Sequence, residues 1–555
     1  MSRASTATSR AAFPISSGKN QNTHSLWGTN RFSWRELAVI DSPFFQRLRA
    51  IRQVGLAYYV YPSAQHSRFE HSLGVVTVAS KVFDALLQRH LPDLQTIAAG
   101  FHVNVEDLLA RLREELRMAA LIHDVGHSIY SHASEQVYQD LPLLQSAVLE
   151  LHKIIGKKKG AGEVISFAFS RTASLRRLLD NARQHLPNDE THKVKELLWD
   201  NVSLLIVGRS AHPYLQWMGD IISSDLDADK LDYLLRDALS AGLPLRYDLE
   251  RYLYTVGLAK DVLLDGDGHL EGMYKMVNGG GDLPPKVEAT GAVEFAHYEA
   301  YRLRLPRNAV NTVEQIVICK FMLFSYIYHH RKVRAAEGML GALLRHVVSS
   351  WKSDGMSDEE VLTKFLQLDD SSLGGASFAG SSDPLVTGQS ARIAQRILPR
   401  EVYGFVASKF SHAEGGLLSN FMSVLLDRKP GRREAVMKQF HEVMGVELMR
   451  LRPELGKTVE EALRNAGAWL DAPKPPKFEN INLILGSSGD RIPLSEVFPI
   501  RYWIQAYESH RYTARVFSFS ECVEEVRAAA RTACEQVIGV KTDSFYETAV
   551  RKPIS

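Results

Sequence analysis

The sequence predicts a mainly α-helical protein, with a helical core, a helical extension and a small C-terminal α+β region. Up to about residue 470, apolar side chains recur at three-to-four spacing, which is the period of helices that face a core. Helix-start signals accompany this period; Ser33 and Glu36, for example, form a Ser-x-x-Glu capping box. Strand-like runs become frequent only after the break at 472–479, where NINLILG and YTARVFSF precede a terminal helix.

The first helices of the chain are marked by caps and by their period. Asp41 is expected to cap a helix that has Pro43 in its first turn, and RFEHSLGVVTVASKVFDALLQRHL reads as the next long helix. The segment VEDLLARLREELRMAALI has the same period and ends near Gly126, where a helix can bend or stop. Four further segments continue the helical pattern: 147–156, 174–184, 192–207 and 213–240.

Three features mark the middle of the chain. Short extended runs on either side of Asp-Gly-Asp-Gly, within VGLAKDVLLDGDGHLEGMYKM, predict a β-hairpin. Residues 287–345 are expected to return to helix. Their stretch NTVEQIVICKFMLFSYIYHH has only about ten consecutive apolar-rich positions, which is too few for a membrane span and indicates a buried core helix. The stretch at 371–390 is the most linker-like internal segment.

Composition restricts the class of protein. A chain of 555 residues suggests about three domains. Its net charge of +2 gives no general attraction to nucleic acid, although it does not exclude a local basic groove that binds one. Three cysteines do not make a disulfide framework, which indicates a reducing, cytoplasmic location. No apolar run reaches the roughly 18 residues typical of a membrane span, so no membrane partner is expected.

The breaks in pattern predict four regions. Residues 1–24 are rich in Ser, Thr and Ala and carry three basic residues and no acidic one, so a disordered tail is favoured over a transit peptide. A main domain at 25–345, a helical extension at 346–470 and a C-terminal α+β region at 471–555 are expected to follow.

The densest group of chemically active side chains lies in LIHDVGHSIYSH, at 121–132. His123, Asp124, His127 and His132 fall within ten positions. Imidazole nitrogen and carboxylate oxygen are ligands of borderline divalent metals, and a buried His–Asp pair needs a compensating charge. Because adjacent residues of a helix diverge by about 100°, other helices must complete such a site.

Two other segments offer the missing ligands. SRFEHS places His71 near the start of its helix, and SSDLDADKLDYLLRD carries five aspartates between 223 and 237. The second segment also contains apolar residues, so part of it is expected to be buried, and buried carboxylates need partners.

Taken together, RFEHSLG, LIHDVGHSIYSH and DADKLDYLLRD resemble the HD-domain phosphohydrolase superfamily, in the branch that contains the deoxynucleoside triphosphate triphosphohydrolases. The resemblance runs from about residue 26 to 336 and implies that the domain at 25–345 is a helical HD-domain core with metal-dependent phosphohydrolase activity. The family pattern H…HD…D implies that four residues bind a divalent ion such as Mn, Fe, Mg or Zn: His71, His123, Asp124 and Asp229.

The resemblance also implies roles for other residues. An arginine and a lysine would hold phosphate, a tyrosine and an aspartate would face the ribose, and a glutamine would lie near the sugar. These predicted substrate residues are Gln53, Arg68, Lys230, Tyr233 and Asp237. Catalytic roles are implied for His127 and His132. In DSPFFQRLR, the residues that match an allosteric nucleotide pocket are Asp41, Gln46 and Arg49.

This chain departs from the nucleotide-cleaving relatives in two places. They carry a further His-Glu pair after the second motif, whereas the best match here is Gly162–Glu163, with His152 as a displaced alternative. Their phosphate-binding arginines after the third motif match only loosely, to Arg331 and Arg334. These departures concern the substrate more than the metal.

The leading functional hypothesis is therefore a metal-dependent phosphohydrolase that hydrolyses deoxynucleoside triphosphates to deoxynucleoside and triphosphate. Two alternatives stay open. One is an HD phosphatase or phosphodiesterase that acts on monophosphates, cyclic nucleotides or nucleic-acid ends; the other is a non-catalytic nucleotide-sensing module. The resemblance further implies a nucleotide partner and a homo-oligomer.

Overall fold

Helices make up 67% of the computed structural model of this chain, so the prediction of a mainly α protein is confirmed. The structure describes residues 21–24, 26–186, 196–265, 268–278, 296–373, 378, 381–405, 415–426, 431–474, 476, 482–485 and 490–539. Most of the predicted disordered tail lies outside the described residues. Its last four residues, 21–24, instead form a strand that pairs with 28–31.

The N-terminal half is a bundle of helices. In order, they are α1 (Trp34–Ile40), α2 (Pro43–Gln46), α3 (Arg68–Arg89), α4 (Leu91–Gly100), α5 (Val105–Ile122), α6 (His132–Tyr138), α7 (Pro142–Ile155), α8 (Ala161–Ser170), α9 (Ala173–Arg183), α10 (Trp199–Ile206), α11 (Gln216–Ile222), α12 (Ala228–Ser240) and α13 (Leu249–Thr255). The helix α3 packs against both α5 and α12. The helical pattern at 213–240 is split between α11 and α12, because the Asp227 side chain accepts a hydrogen bond from the Lys230 amide and caps a new helix.

Two helix starts test the capping predictions. The box of Ser33 and Glu36 is confirmed, since the side chain of each accepts a hydrogen bond from the backbone of the other. The prediction that Asp41 caps the next helix is wrong. Ser42 is the N-cap of α2, where its hydroxyl accepts from the Phe45 amide, and Asp41 is the exposed residue that ends α1.

The helices of the second half are α14 (His269–Asn278), α15 (Val310–Leu323), α16 (Arg331–Ser353), α17 (Asp358–Gln367), α18 (Pro384–Ala394), α19 (Gly415–Leu426), α20 (Arg432–Leu451), α21 (Val459–Ala466), α22 (Leu494–Val497), α23 (Ile500–His510) and α24 (Val523–Ala533). The helix α16 continues across position 345, the predicted end of the main domain. The linker-like stretch at 371–390 contains the first part of α18.

Three small sheets accompany the helices. Their strands are β1 (Gln21–His24), β2 (Gly28–Arg31), β3 (Gly257–Asp265), β4 (Ala296–Pro306), β5 (Arg400–Phe405), β6 (Trp469–Asp471), β7 (Asn482–Leu485), β8 (Asp490–Pro493) and β9 (Ala514–Ser518). The orders are β1-β2, β3-β4-β7-β8 and β5-β9-β6; β4 and β7 run parallel, and the other neighbours run antiparallel. The C-terminal strands β7 and β9 therefore pair with strands from earlier regions, β7 with β4 and β9 with β5 and β6.

The predicted hairpin around Asp-Gly-Asp-Gly is wrong. The residues before it form β3, but those after it form α14, and β3 pairs with β4, which the sequence pattern had placed in a helical region. Leu270, Met273 and Tyr274 are buried at helical spacing, whereas Tyr298 and Ala300 are buried at alternate positions of β4. The spacing of the buried residues thus explains why the first segment forms the helix α14 and the second forms the strand β4.

One helical segment, Arg307–Tyr328, is long and apolar enough to cross a membrane when only length and composition are considered. This helical segment has 22 residues, so it is longer than the apolar run from which a short core helix was predicted. Core helices pass the same test, and Val313, Ile316 and Phe321 are buried among the core side chains, as predicted for a core helix.

Within the described ranges, the buried apolar side chains form two clusters. The first includes the core of α3, α5 and α12. The second contains Ile129, Tyr130 and Tyr138, which follow the His123–Asp124 dipeptide, together with Met339 on α16 and Phe365 on α17. The histidine-rich loop after α5 therefore rests on the helical extension.

Candidate metal centre

Three helices bring the four predicted metal ligands to one point. His71 lies in the first turn of α3, His123 ends α5 and is followed by Asp124, and Asp229 lies in the first turn of α12. The Nε2 atom of His71 is 3.0 Å from Asp229 Oδ1 and 3.8 Å from Asp124 Oδ2. The Nε2 atom of His123 is 3.8 Å from Asp124 Oδ1 and 3.9 Å from Asp229 Oδ1.

The Nδ1 atoms of both histidines already contact other groups, and this orients their Nε2 atoms towards the point where the predicted ligands meet. His71 Nδ1 lies 2.8 Å from Asp232 Oδ2, and His123 Nδ1 lies 2.8 Å from the carbonyl oxygen of Ala120. Both Nε2 atoms are buried without a hydrogen-bond partner in the described part of the chain, since the short contact of His71 with Asp229 lacks hydrogen-bond geometry. Metal-binding histidines have this arrangement, and one ligand atom each of His71, His123 and Asp229 lies within 4.8 Å of the others, so these three side chains fit a divalent cation.

The ionisation of these groups also suits a cation. Burial lowers the pKa of His71, but Asp229 and Asp232 outweigh burial and raise that pKa to about 10. Burial raises the pKa of Asp124, but its positive neighbours, chiefly Arg68, outweigh burial and hold the pKa well below the usual value. The centre thus keeps its carboxylates charged and attracts positive charge, which a metal supplies in place of a proton.

Asp232 supports His71, a role that was not predicted from the sequence. Its side chain is fully buried and accepts from Nε and NH2 of Arg236 at 2.7 and 2.8 Å. A Cβ atom at Gly74 of α3 would lie 2.0 Å from Asp232 Oδ1, so this close approach requires glycine. The i, i+4 pair was visible in DKLDYLLRD, but the side of the helix that meets His71 depends on tertiary packing.

We expect Asp232→Asn to weaken metal binding by about 10- to 100-fold, the usual cost of removing a supporting carboxylate. The amide occupies the same space but does not stabilise the Nδ1 proton of His71 as a carboxylate does. The measurement is metal titration of the apo protein. The matched control is Asp220→Asn, which changes a buried carboxylate that binds Arg302. An equal loss of affinity in both variants would contradict the assignment.

Arg68 links the metal ligands to the loop that follows them. Its side chain is fully buried, NH1 is paired with Asp124, and Nε donates to Ser131 Oγ at 2.8 Å. The remaining nitrogen, NH2, is buried with no partner among the residues that the structure describes. A guanidinium held by two contacts thus keeps one donor for a ligand, which suits the predicted phosphate role.

His127 and His132 lie on either side of Glu135, a residue that the sequence motifs did not single out. His132 Nδ1 is 3.0 Å and His127 Nδ1 is 3.7 Å from the same Glu135 oxygen, while His127 Nε2 is 3.3 Å from Asp124 Oδ1. The neighbouring Glu135 carboxylate raises the pKa of His132. Burial and Arg68 lower the pKa of His127. The His132 side chain is 74% exposed and therefore open to a substrate.

Gln53, Lys230 and Tyr233 differ in how freely they can meet a substrate. Gln53 Oε1 is buried without a partner in the described residues and keeps an acceptor for a ligand. Lys230 Nζ donates to Asp227 Oδ2 and to the carbonyl of Ser224, both at 2.7 Å. Tyr233 is half-buried, and burial raises the pKa of its hydroxyl well above the usual value. Their substrate roles stay predictions.

Asp237 is enclosed by other side chains. One carboxylate oxygen lies 2.8 Å from His66 Nε2, and the other accepts a hydrogen bond from the Tyr328 hydroxyl. A ribose hydroxyl would compete with these two groups, so the sugar role predicted for Asp237 requires a rearrangement.

The residues of the predicted allosteric set lie together near the surface at α2. Gln46 Nε2 donates to the carbonyl of Ile40, and Arg49 Nε donates to Gln46 Oε1, both at 2.8 Å. The Arg49 guanidinium stacks on the Phe69 ring at 3.5 Å, and Asp41 is exposed. Nucleotide binding by this set stays a prediction.

The departure at Gly162–Glu163 has a structural reason. A Cβ atom at position 162 would lie 2.8 Å from His127 Cε1, so a histidine fits there only if His127 moves. Glu163 accepts from the Gly160 amide at 3.0 Å and pairs with Lys159 at 2.8 Å, which caps the start of α8.

The other residues that match the family pattern only loosely either contact another side chain or are exposed. The exposed ring of His152 faces His269, with 6.2 Å between centroids. Arg331 is exposed, and Arg334 is bound to Asp471 through Nε and NH2 at 3.1 and 2.6 Å.

Comparisons with known proteins agree with the motifs. Residues 68–236 match the HD domain family. The chain is 24% identical over 493 residues to an uncharacterized protein of Methanocaldococcus jannaschii, covering 89% of this chain and 78% of that protein. It is 30% identical over 231 residues to the deoxynucleoside triphosphate triphosphohydrolase SAMHD1 of Xenopus laevis, covering 39% of this chain and 33% of that protein. The match to SAMHD1 of Homo sapiens is 30% identical over 224 residues and covers 32% of that protein.

A solved structure extends the likeness of fold to most of the chain. The crystal structure of a hypothetical protein from Aquifex aeolicus aligns with a TM-score of 0.54 at 18% identity, covering 92% of this chain and 99% of the other. By contrast, the chain spans only about a third of the length of the SAMHD1 proteins. Residues 68–236 of this chain are therefore similar to HD domains, and over that region the chain is also similar to the deoxynucleoside triphosphate triphosphohydrolases SAMHD1 of Xenopus laevis and Homo sapiens.

Proposed function

We propose that this protein is a metal-dependent nucleotide phosphohydrolase that hydrolyses deoxynucleoside triphosphates to deoxynucleoside and triphosphate. The observation that carries this proposal is the convergence of His71, His123, Asp124 and Asp229, beside which Arg68 has a donor with no partner among the described residues. The HD domain supports metal-dependent phosphohydrolase chemistry, and the activity named for the SAMHD1 relatives favours this substrate class.

Negative charge on the phosphate would be met by groups from three helices. A divalent ion held by the four ligands supplies Lewis-acid stabilisation of that charge and a more acidic water. Arg68 would donate its NH2 group to a phosphate oxygen without giving up its contacts with Asp124 and Ser131. Lys230 would exchange its contact with Ser224 for a second phosphate oxygen.

The leaving 5′-oxygen needs a proton, and we assign its supply to His132. Attack by water at the α-phosphorus breaks the bond to this oxygen and releases intact triphosphate. Glu135 holds Nδ1 of His132, which leaves Nε2 as the atom that would donate the proton. The raised pKa of His132 keeps more of it protonated near neutral pH than an ordinary histidine.

We expect Glu135→Gln to move the alkaline limb of the pH–rate profile to lower pH. Activity that needs protonated His132 is present below its pKa and falls as pH rises through that pKa. Glutamine keeps the shape of the side chain but removes the charge that raises the pKa. The measurement is kcat as a function of pH. Glu434→Gln, at the cap of α20, is the control and should leave the limb in place. An unmoved limb in Glu135→Gln would contradict the role of His132.

The test of the proposed function is metal analysis combined with product identification from a mixed nucleotide panel, with and without added GTP or dGTP. Release of intact triphosphate from deoxynucleoside triphosphates supports the proposal. Orthophosphate released from monophosphates, or opening of cyclic nucleotides, would instead establish a phosphatase or phosphodiesterase. Nucleotide binding without turnover under any common divalent metal would establish a sensing module.

We also propose that the protein acts as a homo-oligomer on the cytoplasmic nucleotide pool, as the family resemblance implies. Sedimentation analysis with and without nucleotide tests the assembly. A monomer under both conditions would contradict it.

A further inference from the structure

The loop between Asp124 and His132 contains two consecutive residues with left-handed backbone angles. Tyr130 has φ 50°, and Ser131 has φ 58° and ψ −122°. Such angles are disfavoured for residues that have a Cβ atom, and they persist only where surrounding contacts hold them. Ser131 directly precedes His132 and accepts from Arg68 Nε. The turn therefore sets the position of both the proposed proton donor and the proposed phosphate donor.

Asp370, in the segment that follows α17, supplies contacts that hold this turn. Its Oδ1 accepts from the Tyr130 amide at 2.7 Å, and its Oδ2 accepts from the amide and NH1 of Arg52 at 3.0 and 3.2 Å. Its backbone N–H donates to the Ala50 carbonyl at 3.0 Å, and its carbonyl accepts from the Tyr130 hydroxyl at 2.9 Å. The Arg52 carbonyl in turn accepts from the Ser131 hydroxyl, which closes the network.

Asp370 comes from outside the matched HD domain. It lies 240 residues after Tyr130 in the chain, and nearby the Ser128 hydroxyl donates to the carbonyl of Phe365 on α17. Burial raises the pKa of Asp370 to about 6, so its carboxylate is charged at neutral pH and can accept from all three N–H groups. A buried carboxylate with three donors is a rigid attachment point.

We propose that Asp370 is a positioning residue, a carboxylate of the helical extension that clamps the Tyr130–Ser131 turn and thereby aims His132 and Arg68. The catalytic part of this inference rests on the proposed phosphohydrolase function, whereas the clamp itself does not. Its consequence is that the HD domain at 68–236 depends on the extension for the order of its own histidine loop.

The clamp is tested first by hydrogen exchange of the full-length, metal-loaded protein. Asp370→Asn places an amide N–H against donors that need an acceptor, so we expect the 126–134 peptide to exchange about tenfold faster or more. Peptides from α3 should exchange at the parent's rate. The matched control is Asp369→Asn, one residue away, where the amide can keep the local turn to Ser371 and Ser372. Equal exchange of the loop in both variants would overturn the clamp.

Kinetics then separate positioning from general stability. On the best substrate of the panel, Asp370→Asn should lower kcat by about 10- to 100-fold, because a misplaced catalytic group costs that much, while KM and metal content stay within about twofold of the parent. Loss of metal, thermal stability and kcat together would overturn the positioning role. If Asp370→Asn does not fold, the clamp is tested with Asp370→Glu, which keeps the negative charge but displaces the carboxylate. The 126–134 peptide should again exchange faster than in the parent. Exchange at the parent's rate would overturn the clamp. If the parent turns over nothing on the panel, the proposed function fails and loop exchange alone decides the clamp.

Discussion

Replacing His123 and Asp124 together by alanine is expected to remove the bound divalent metal and to lower turnover by about a thousandfold or more. The variant deletes one imidazole and one carboxylate of the predicted ligand set and leaves His71 and Asp229, which are 3.0 Å apart, as the remaining pair. Two ligands bind a divalent ion far more weakly than four, so metal content and activity should fall together. Elemental analysis of the purified protein and product release from the best substrate are the two measurements.

The control removes the same residue types from the surface. Asp180→Ala with His185→Ala changes two exposed residues near the end of α9 and should leave metal content and turnover unchanged. A metal-free His123→Ala, Asp124→Ala variant that still hydrolysed nucleotide at the parent's rate would show that the reaction takes place elsewhere.

The candidate ligand set came from the resemblance of three short motifs to the HD-domain family, and metal binding by its four members stays a prediction. His123 and Asp124 are adjacent in the chain, and His71 and Asp229 each start a helix that has a clear cap. The sequence pattern placed His71 near the start of its helix but ran one helical segment through 213–240, so the position of Asp229 in the first turn of α12 was not predicted. The supporting contacts could not be predicted in this way, because the pairing of Asp232 with His71 depends on how α12 packs against α3.

Errors in the predicted fold arose where two local signals competed. The glycines at 266 and 268 favoured a hairpin, but burial of Leu270, Met273 and Tyr274 on one face favours a helix after the turn. β4 carries alternating polar and apolar residues, yet its neighbours on the C-terminal side are strongly helical, which hid the strand. Its pairing with β7 joins residues 305 and 483, a contact that no local pattern indicates.

The attachment of the histidine loop to the extension lies beyond any local pattern for the same reason. Asp370 directly precedes the stretch at 371–390, whose composition predicts a linker, and three of its contacts are backbone groups of residues 50, 52 and 130. Backbone donors and acceptors carry no sequence signature. The left-handed angles of Tyr130 and Ser131 are equally invisible, since neither residue is glycine or asparagine.

Arg68→Lys is expected to lower kcat/KM by about a hundredfold while metal content stays at the parent's level. Arg68 holds Asp124 and Ser131 through two nitrogens and keeps a third for the substrate, an arrangement that requires the planar guanidinium. Lysine keeps the charge, so Asp124 retains a partner, but a single ammonium group cannot serve the loop and the phosphate from the same position. Loss of one oriented donor to a transition-state oxygen typically costs about 10²- to 10³-fold.

The matched control for Arg68→Lys is Arg302→Lys, because Arg302 also binds a buried aspartate through two nitrogens, Asp220 at 2.6 and 2.9 Å. Both variants replace a guanidinium that makes two contacts with a single ammonium group. The free energy of unfolding should fall by a similar amount in each, about 1–2 kcal/mol, which thermal unfolding measures. Only Arg68→Lys should lose activity, because only Arg68 adjoins the metal ligands. Equal activity in the two variants would show that the unpartnered nitrogen of Arg68 does not meet the substrate, and the phosphate role would then pass to other cations such as Lys230.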